Sequence, residues 1–118
     1  MRQCLLFIAG LFISLSAAAH HGMALFDTSQ PLTLTGRVID FRLMDPHSLL
    51  YVEVLQDSGA AIIWQIEGGS GSGIVGAGLS REFLASEPIV TIQYYPARDA
   101  QCAPSCRGVG QDFDFQRD

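Results

Sequence analysis

The 118-residue sequence contains no lysine and few charged residues of either sign. Its seven arginines are outnumbered by twelve aspartates and glutamates, which leaves a formal charge of −5. Proteins that bind nucleic acids present a basic surface to the phosphates. The composition therefore predicts no nucleic-acid partner. An apolar fraction of 48% argues against a disordered chain, and the length suits one domain.

Long apolar runs are absent too, except at the start of the chain. Residues 1–3 include an arginine, about a dozen mostly apolar residues follow, and residues 17–19 are alanines. This is the layout of a secretory signal peptide. The apolar run is too short for a membrane-spanning helix, which needs about 20 apolar residues. We predict a signal peptide over 1–19 and a periplasmic or secreted bacterial protein that meets the membrane only transiently, during export. The alternative is an uncleaved membrane anchor.

Cysteine is scarce, and the predicted cleavage makes it scarcer. Residues 20–118 form the predicted single domain, with six arginines, twelve acids, a formal charge of −6 and two cysteines. In an oxidising compartment, Cys102 and Cys106 are expected to form a disulfide. The loop between them is short, so the bond is a local staple worth about 2 kcal/mol. A metal site is the alternative, although the spacing matches neither Cys-x-x-Cys redox motifs nor four-cysteine zinc sites.

Apolar residues alternate with other residues in several segments, which predicts an all-β domain. The predicted strands are 32–43, 49–55, 61–67, 89–95 and 109–115. The apolar positions of the first strand change parity near Gly36-Arg37, which predicts a bulge or a sharp coil that Gly36 permits. The glycine-serine run 68–73 predicts a flexible connection, and Ser80 is expected to cap a short helical turn.

This order of elements predicts a small five-stranded OB-like barrel with a short helical or irregular connection between strands 3 and 4. Closing the sheet removes exposed edges, and a small open sandwich is the alternative. The glycine-rich run lacks the residues of a phosphate-binding loop, and there is no nucleophile elbow. We therefore expect a protein that is not an enzyme, and a hydrolase is the least supported class.

Histidine is equally scarce, and two of the three histidines lie at the predicted start of the mature chain. Cleavage after Ala18 places His21 third from a free amine, a donor arrangement that suits square-planar Cu(II). Cleavage after Ala19 makes His20 the first residue, so that its amine and ring can bind one copper ion, with His47 as a third ligand. The alternative is adventitious metal binding by two adjacent histidines.

A ligand surface is predicted beside the turn between strands 1 and 2, because this loop flanks the ligand face of OB folds. Its residues are Asp45, His47, Tyr51 and Glu67, and a pocket is expected between this turn and the connection after strand 3. The alternatives are a histidine that only stabilises its turn and a glutamate solvated at a strand end. Trp64 has the parity of apolar neighbours and is expected in the core.

Six short motifs together resemble a family of small exported bacterial proteins that is known as a domain of unknown function. The motifs are Ala19-His20-His21-Gly22, Phe26-Asp27, Leu34-Thr35-Gly36-Arg37-Val38, Pro46-His47-Ser48, Trp64-Gln65-Ile66-Glu67 and Tyr95-Pro96-Ala97-Arg98-Asp99. The resemblance covers most of residues 19–99 and implies an exported, OB-like protein with no established activity. The chain departs from the family pattern at Asp45, where asparagine is usual, and in its glycine-rich run.

These features predict an exported, non-enzymatic binding or accessory module. Its partner is expected to be a small ligand, a metal ion or a periplasmic protein. The alternative is a copper-binding protein, a carrier or a redox site, that uses His20, His21 and His47 to hold Cu(II).

Overall fold

The computed structural model describes residues 22–99, 102 and 105–117. The predicted signal peptide over 1–19 and the histidines His20 and His21 lie outside these residues. No helix in the described part of the chain is long and apolar enough to cross a membrane. The elements are β1 (Leu32–Arg42), β2 (Leu49–Leu55), β3 (Ala61–Glu67), α1 (Gly71–Gly76), α2 (Arg81–Ala85), β4 (Ile89–Pro96) and β5 (Cys106–Phe115).

The five strands close into a barrel in the order β1-β2-β3-β5-β4. Neighbouring strands are antiparallel except β3 and β5, which pair in parallel from Trp64 opposite Cys106 to Glu67 opposite Val109. β1 closes the barrel because its first half pairs with β4 and its second half with β2. The predicted small five-stranded OB-like barrel, with a short helical or irregular connection between strands 3 and 4, is therefore confirmed, and the connection contains the two short helices.

Alternate residues of the strands fill the barrel interior, as the apolar alternation predicted. Val52, Ile66 and Val90 are fully buried, and each contributes about 1.5–3 kcal/mol through the removal of its side chain from water. Trp64 packs against this core and meets Tyr94 edge to face, with 4.8 Å between the ring centroids. The expectation that Trp64 is a core residue is therefore confirmed.

Gly36 serves a different purpose from the one that the sequence suggested. The register of β1 against β2 shifts between Val38 and Asp40, not at Gly36. A Cβ atom at Gly36 would overlap the carbonyl oxygen of Glu53 and lie 2.7 Å from Cγ1 of Val52. Glycine is therefore needed for the close approach of β1 and β2, and the bulge follows it.

The expectation of a flexible connection over 68–73 was wrong for its second half, where α1 begins. Ser70 caps this helix, since its hydroxyl accepts a hydrogen bond of 3.1 Å from the Gly73 N–H. A Cβ atom at Gly71 would lie 3.1 Å from the backbone of Leu43 and Met44, so glycine lets α1 approach the end of β1 closely. Capping and packing thus outweigh the low helix propensity of glycine.

Ser80 caps α2 as predicted, and its hydroxyl accepts a hydrogen bond of 3.1 Å from the Phe83 N–H. β2 and β3 have the predicted bounds, whereas β5 begins at Cys106, three residues earlier than expected. The added residues pair with β3 and were missed because parallel pairing between distant segments leaves no local signal.

Candidate functional site

The turn between β1 and β2 is held in place by Ser48, which is fully buried. The Ser48 hydroxyl donates to the Met44 carbonyl and accepts from the Met44 N–H, both at 3.2 Å. The Ser48 N–H donates to the Gly69 carbonyl, and the Gly68 N–H donates to the Ser48 carbonyl, both at 2.8 Å. The neighbouring residue His47 is therefore attached to a backbone that is fixed on both sides of the turn.

His47 lies next to Glu67, the last residue of β3. The Nδ1 atom of His47 is 3.5 Å from Oε1 of Glu67, and the two side chains are 61% and 33% exposed. The antiparallel register, in which Leu49 faces Glu67, brings the end of β3 beside the turn. A pair that is this accessible to solvent contributes about 0–1 kcal/mol to stability, so a structural role alone gives it little weight.

Tyr51 belongs to the same outer face of the barrel. It lies opposite Gln65 in β3, two residues along from Glu67, and the Arg42 guanidinium is 5.8 Å from the centroid of its ring. Gln65 in turn lies opposite Arg107 in β5. We call this patch the outer surface, and its members are His47, Tyr51, Gln65, Glu67 and Arg107.

Asp45 lines a cleft that the other three residues of the predicted ligand surface do not line. It follows Met44, precedes Pro46 through a cis peptide bond and lines a cleft of about 350 Å³. The far wall of this cleft is formed by α1 together with Arg81 of α2. The predicted pocket between the β1–β2 turn and the connection after β3 is thus confirmed, and Asp45, not His47, lines it.

The first described residues of the chain run against the outer surface. Phe26 forms an isolated bridge with Ala97, and the Arg98 N–H donates to the Leu25 carbonyl at 2.9 Å. Leu25 and Phe26 share a small cavity of about 80 Å³ with the outer-surface residues Gln65, Glu67 and Arg107. Leu25 and Phe26 are therefore attached to the residues after β4 and share a cavity with Glu67 of β3.

Sequence reasoning missed Gln65, Arg107 and the lead-in residues as parts of this surface. Gln65 has the same strand parity as Glu67, which is a signal that could have identified it. Arg107 could not be placed in the same way, because its position depends on the parallel pairing of β5 with β3.

Cys106 is the first residue of β5, and Cys102 lies in the loop before it. Cys102 and Cys106 are joined by the predicted disulfide, and Cys106 is buried. The adjacent Arg107 donates from Nη2 to Oδ2 of Asp99 at 2.8 Å, which ties the two sides of the β4–β5 loop together. Because the two sulfur atoms are bonded to each other, they are not available as thiolate ligands, which argues against the alternative of a metal site at the cysteines.

Within residues 22–99, 102 and 105–117, no three histidine, cysteine, aspartate or glutamate side chains are grouped as metal ligands. His47 and Glu67 supply two such side chains at one place. The further histidines of the predicted copper site, His20 and His21, belong to the part of the chain that the structure does not describe.

Comparison with known proteins identifies one family. The model of a family of unknown function, DUF6152, matches residues 9–105, which is most of the chain. No curated protein matches the sequence.

Among solved structures, the barrel is similar to the mitochondrial single-stranded DNA-binding protein Rim1 of S. cerevisiae. The TM-score is 0.50 at 13% sequence identity, and the alignment covers 75% of this chain and 94% of that one. At this identity the likeness concerns the fold alone.

Proposed function

Because the chain belongs to DUF6152, a family of unknown function, we propose its role from the geometry of the outer surface. The protein is an exported, non-enzymatic binding module whose ligand contacts His47, Tyr51 and Glu67. The observation on which this proposal depends is the 3.5 Å approach of His47 Nδ1 to Glu67 Oε1 on an exposed face of the barrel.

The chemistry of the outer surface suits a small polar ligand. Glu67 and Gln65 offer hydrogen-bond acceptors, Arg107 and Gln65 offer donors, and the imidazole of His47 offers either. The buried Ser48 fixes the turn before any ligand arrives, so little conformational freedom is lost on binding. A surface that is prepared in this way favours recognition of a compact molecule with both donors and acceptors.

A binding role is favoured over catalysis by the state of the cysteines. The disulfide between Cys102 and Cys106 removes the two most nucleophilic side chains of the described residues. The same bond supports export, since disulfides persist in oxidising compartments. The residues 1–19, with their short apolar run and terminal alanines, support a periplasmic or secreted location.

The ligand proposal is tested with protein recovered from the periplasm without denaturation. Small molecules released from the wild type, Glu67→Gln and Asp57→Asn are identified by liquid chromatography and mass spectrometry. Asp57 lies in the β2–β3 hairpin turn and is the matched control for the loss of one carboxylate. We expect a compound that accompanies the wild type and Asp57→Asn but not Glu67→Gln, and an identical set from all three would refute the proposal.

Copper binding through His20, His21 and His47 is a second proposal, and the position of the lead-in segment favours it. Leu25 shares a cavity with Glu67, which lies beside His47, and His21 precedes Leu25 by four positions in the sequence. We propose that the two amino-terminal histidines join His47 there, since Cu(II) favours nitrogen donors.

The copper proposal is tested after mass spectrometry has established the first residue of the exported chain. Cu(II) is titrated into the wild type, His20→Ala, His21→Ala and His47→Ala. We expect tight binding by the wild type, a large loss in the first two variants and a smaller loss in the third. The proposal fails if the wild type binds no copper tightly or if His20→Ala and His21→Ala bind it as tightly as the wild type.

A further inference from the structure

A cavity of about 280 Å³ lies between α1, α2 and β5. The most deeply buried of its lining residues are Leu50 of β2 and Leu84 of α2, which are 3% and 1% exposed. Ile74, Phe113 and Phe115 line the cavity too, and these three side chains pack against the barrel core. None of these residues belongs to the outer surface, so the cavity is a separate place for a ligand.

The glycine-rich connection between β3 and α1 keeps this space open. Gly69 and Gly73 line the cavity, and a Cβ atom added at Gly69 would meet no atom within 4 Å. A Cβ atom added at Gly68 would lie 3.5 Å from Cζ of Phe113 and 3.8 Å from Cδ1 of Ile74. Both side chains therefore lie beside the glycines, which add no side chains of their own to the space.

The charged residue at the rim of the cavity points away from it. Of the described residues that line the cavity, only Asp112 carries a charge. Asp112 lies opposite the exposed Gln93 of β4, whereas Phe113 lies opposite Ile92, which is fully buried. Since successive side chains of a strand point to opposite faces, Phe113 faces the cavity and the Asp112 carboxylate faces solvent. The walls therefore offer an ion no partner.

We propose that this cavity binds one small uncharged apolar molecule, of the size of a single substituted ring. Ligand pockets usually measure about 300–1,000 Å³ and a cavity of about 150 Å³ holds benzene, so the volume of about 280 Å³ suits this size. An α-helix with its side chains is about 10 Å across, so the cavity is too small for a helix of a partner protein. A charged ligand would lose its hydration among Leu50, Leu84 and Phe113 without gaining a partner.

Three probes of similar shape and different charge test this proposal: toluene, benzylamine and benzoate. Each is titrated into the isotope-labelled protein at neutral pH, and NMR follows the Leu84 methyl groups and the Phe113 ring. We expect toluene to shift both sets of signals and to bind at least about tenfold more tightly than either ion, because burial of an unpaired charge is costly.

Filling the cavity separates binding inside it from adsorption to the surface of the protein. Ile74→Phe enlarges a lining residue of α1 and is expected to weaken the binding of toluene several-fold. Val75→Phe is the matched control, since Val75 is the next residue of α1, is 49% exposed and lies outside the lining, and it is expected to bind toluene like the wild type. Ala77→Leu is a second filling variant if Ile74→Phe does not fold. Thermal unfolding of each variant confirms that the barrel is intact.

Asp112→Asn tests the direction of the carboxylate at the rim. It is expected to leave the affinities for all three probes unchanged within about twofold, because the side chain faces solvent. Benzylamine that binds as tightly as toluene and loses this affinity in Asp112→Asn would show a charged site and overturn the proposal.

The proposal is also overturned if toluene leaves the signals of Leu84 and Phe113 in place, or if the filling variants bind toluene as tightly as the wild type. Glu67→Gln is expected to bind toluene like the wild type, so that a failure of this site is distinct from a failure of the outer surface.

Discussion

Gly36 shows how one residue without a side chain sets the spacing of two strands. Its Cβ position is occupied by the carbonyl of Glu53 and by Cγ1 of Val52, so an alanine would push β1 away from β2. We expect Gly36→Ala to lower the free energy of unfolding by about 1–3 kcal/mol, the usual cost of overpacking. Urea unfolding measures the change.

The control for this prediction is Gly76→Ala at the end of α1. A Cβ atom there would meet no atom within 4 Å, so this variant is expected to be unchanged or up to about 1 kcal/mol more stable. Equal effects of the two substitutions would show that loss of glycine flexibility, not the contact with β2, is responsible.

Burial of Tyr94 makes the stability of the barrel depend on pH in the alkaline range. Burial raises the pKa of the Tyr94 phenol above its ordinary value of 10.0. The unfolded chain therefore loses this proton before the folded chain does. The stability contributed by the neutral phenol is fully present below the ordinary value and is lost as pH rises through the folded pKa.

We expect Tyr94→Phe to lose less stability than the wild type between neutral pH and about pH 11. Urea unfolding across this range measures the difference. Tyr51→Phe, which changes a tyrosine of the outer surface, is expected to behave like the wild type. If Tyr94→Phe and the wild type lose stability in parallel, the Tyr94 phenol is not the group responsible.

At the scale of secondary structure, local patterns predicted the elements that depend on neighbours in sequence. β2 and β3 have the expected bounds because apolar alternation and a hairpin turn lie within one short stretch. The same stretch, with the turn before it, allowed His47 and Glu67 to be predicted on one surface.

Features that depend on distant contacts could not be predicted in this way. The start of β5 and the place of Arg107 follow from parallel pairing with β3, which lies about forty residues earlier. α1 forms in a glycine-rich run because Ser70 caps it and Gly71 packs on the backbone of Leu43, and neither contact is visible in residue propensities.

The disulfide joins the loop residue Cys102 to Cys106, the first residue of β5, and so stabilises only the start of this strand. Cys102→Ser removes the bond and keeps the buried sulfur of Cys106, so the packing of β5 against Trp64 is retained. We expect the free energy of unfolding to fall by about 2 kcal/mol, because the bond closes only a short loop. A barrel that fails to fold without the bond, or that is equally stable, would contradict this local role.

At the scale of the whole molecule, the charge of the chain bears on which partners it can have. The similar structure is described as a single-stranded DNA-binding protein, whereas this chain has no lysine and a formal charge of −5. Glu67 also lies on the outer face of β3, part of the face that binds oligonucleotides in OB folds. We propose that repulsion of the phosphates prevents binding.

Fluorescence anisotropy with a labelled single-stranded oligonucleotide tests this proposal at low salt, where binding would be strongest. We expect no change in anisotropy with this chain and a clear rise with the S. cerevisiae protein as the positive control. Binding by this chain that weakens as salt is added would contradict the expectation.

The most direct test of the outer surface is a residue-resolved NMR map on the exported chain. Acetate, methylamine, glycine and glucose are added separately, and the amide signals of all assigned residues are followed. We predict that at least one of these probes shifts His47, Tyr51 and Glu67 together and that Glu67→Gln weakens the effect. Signals of these three residues that stay fixed with every probe, while others move, would contradict a ligand surface at this place.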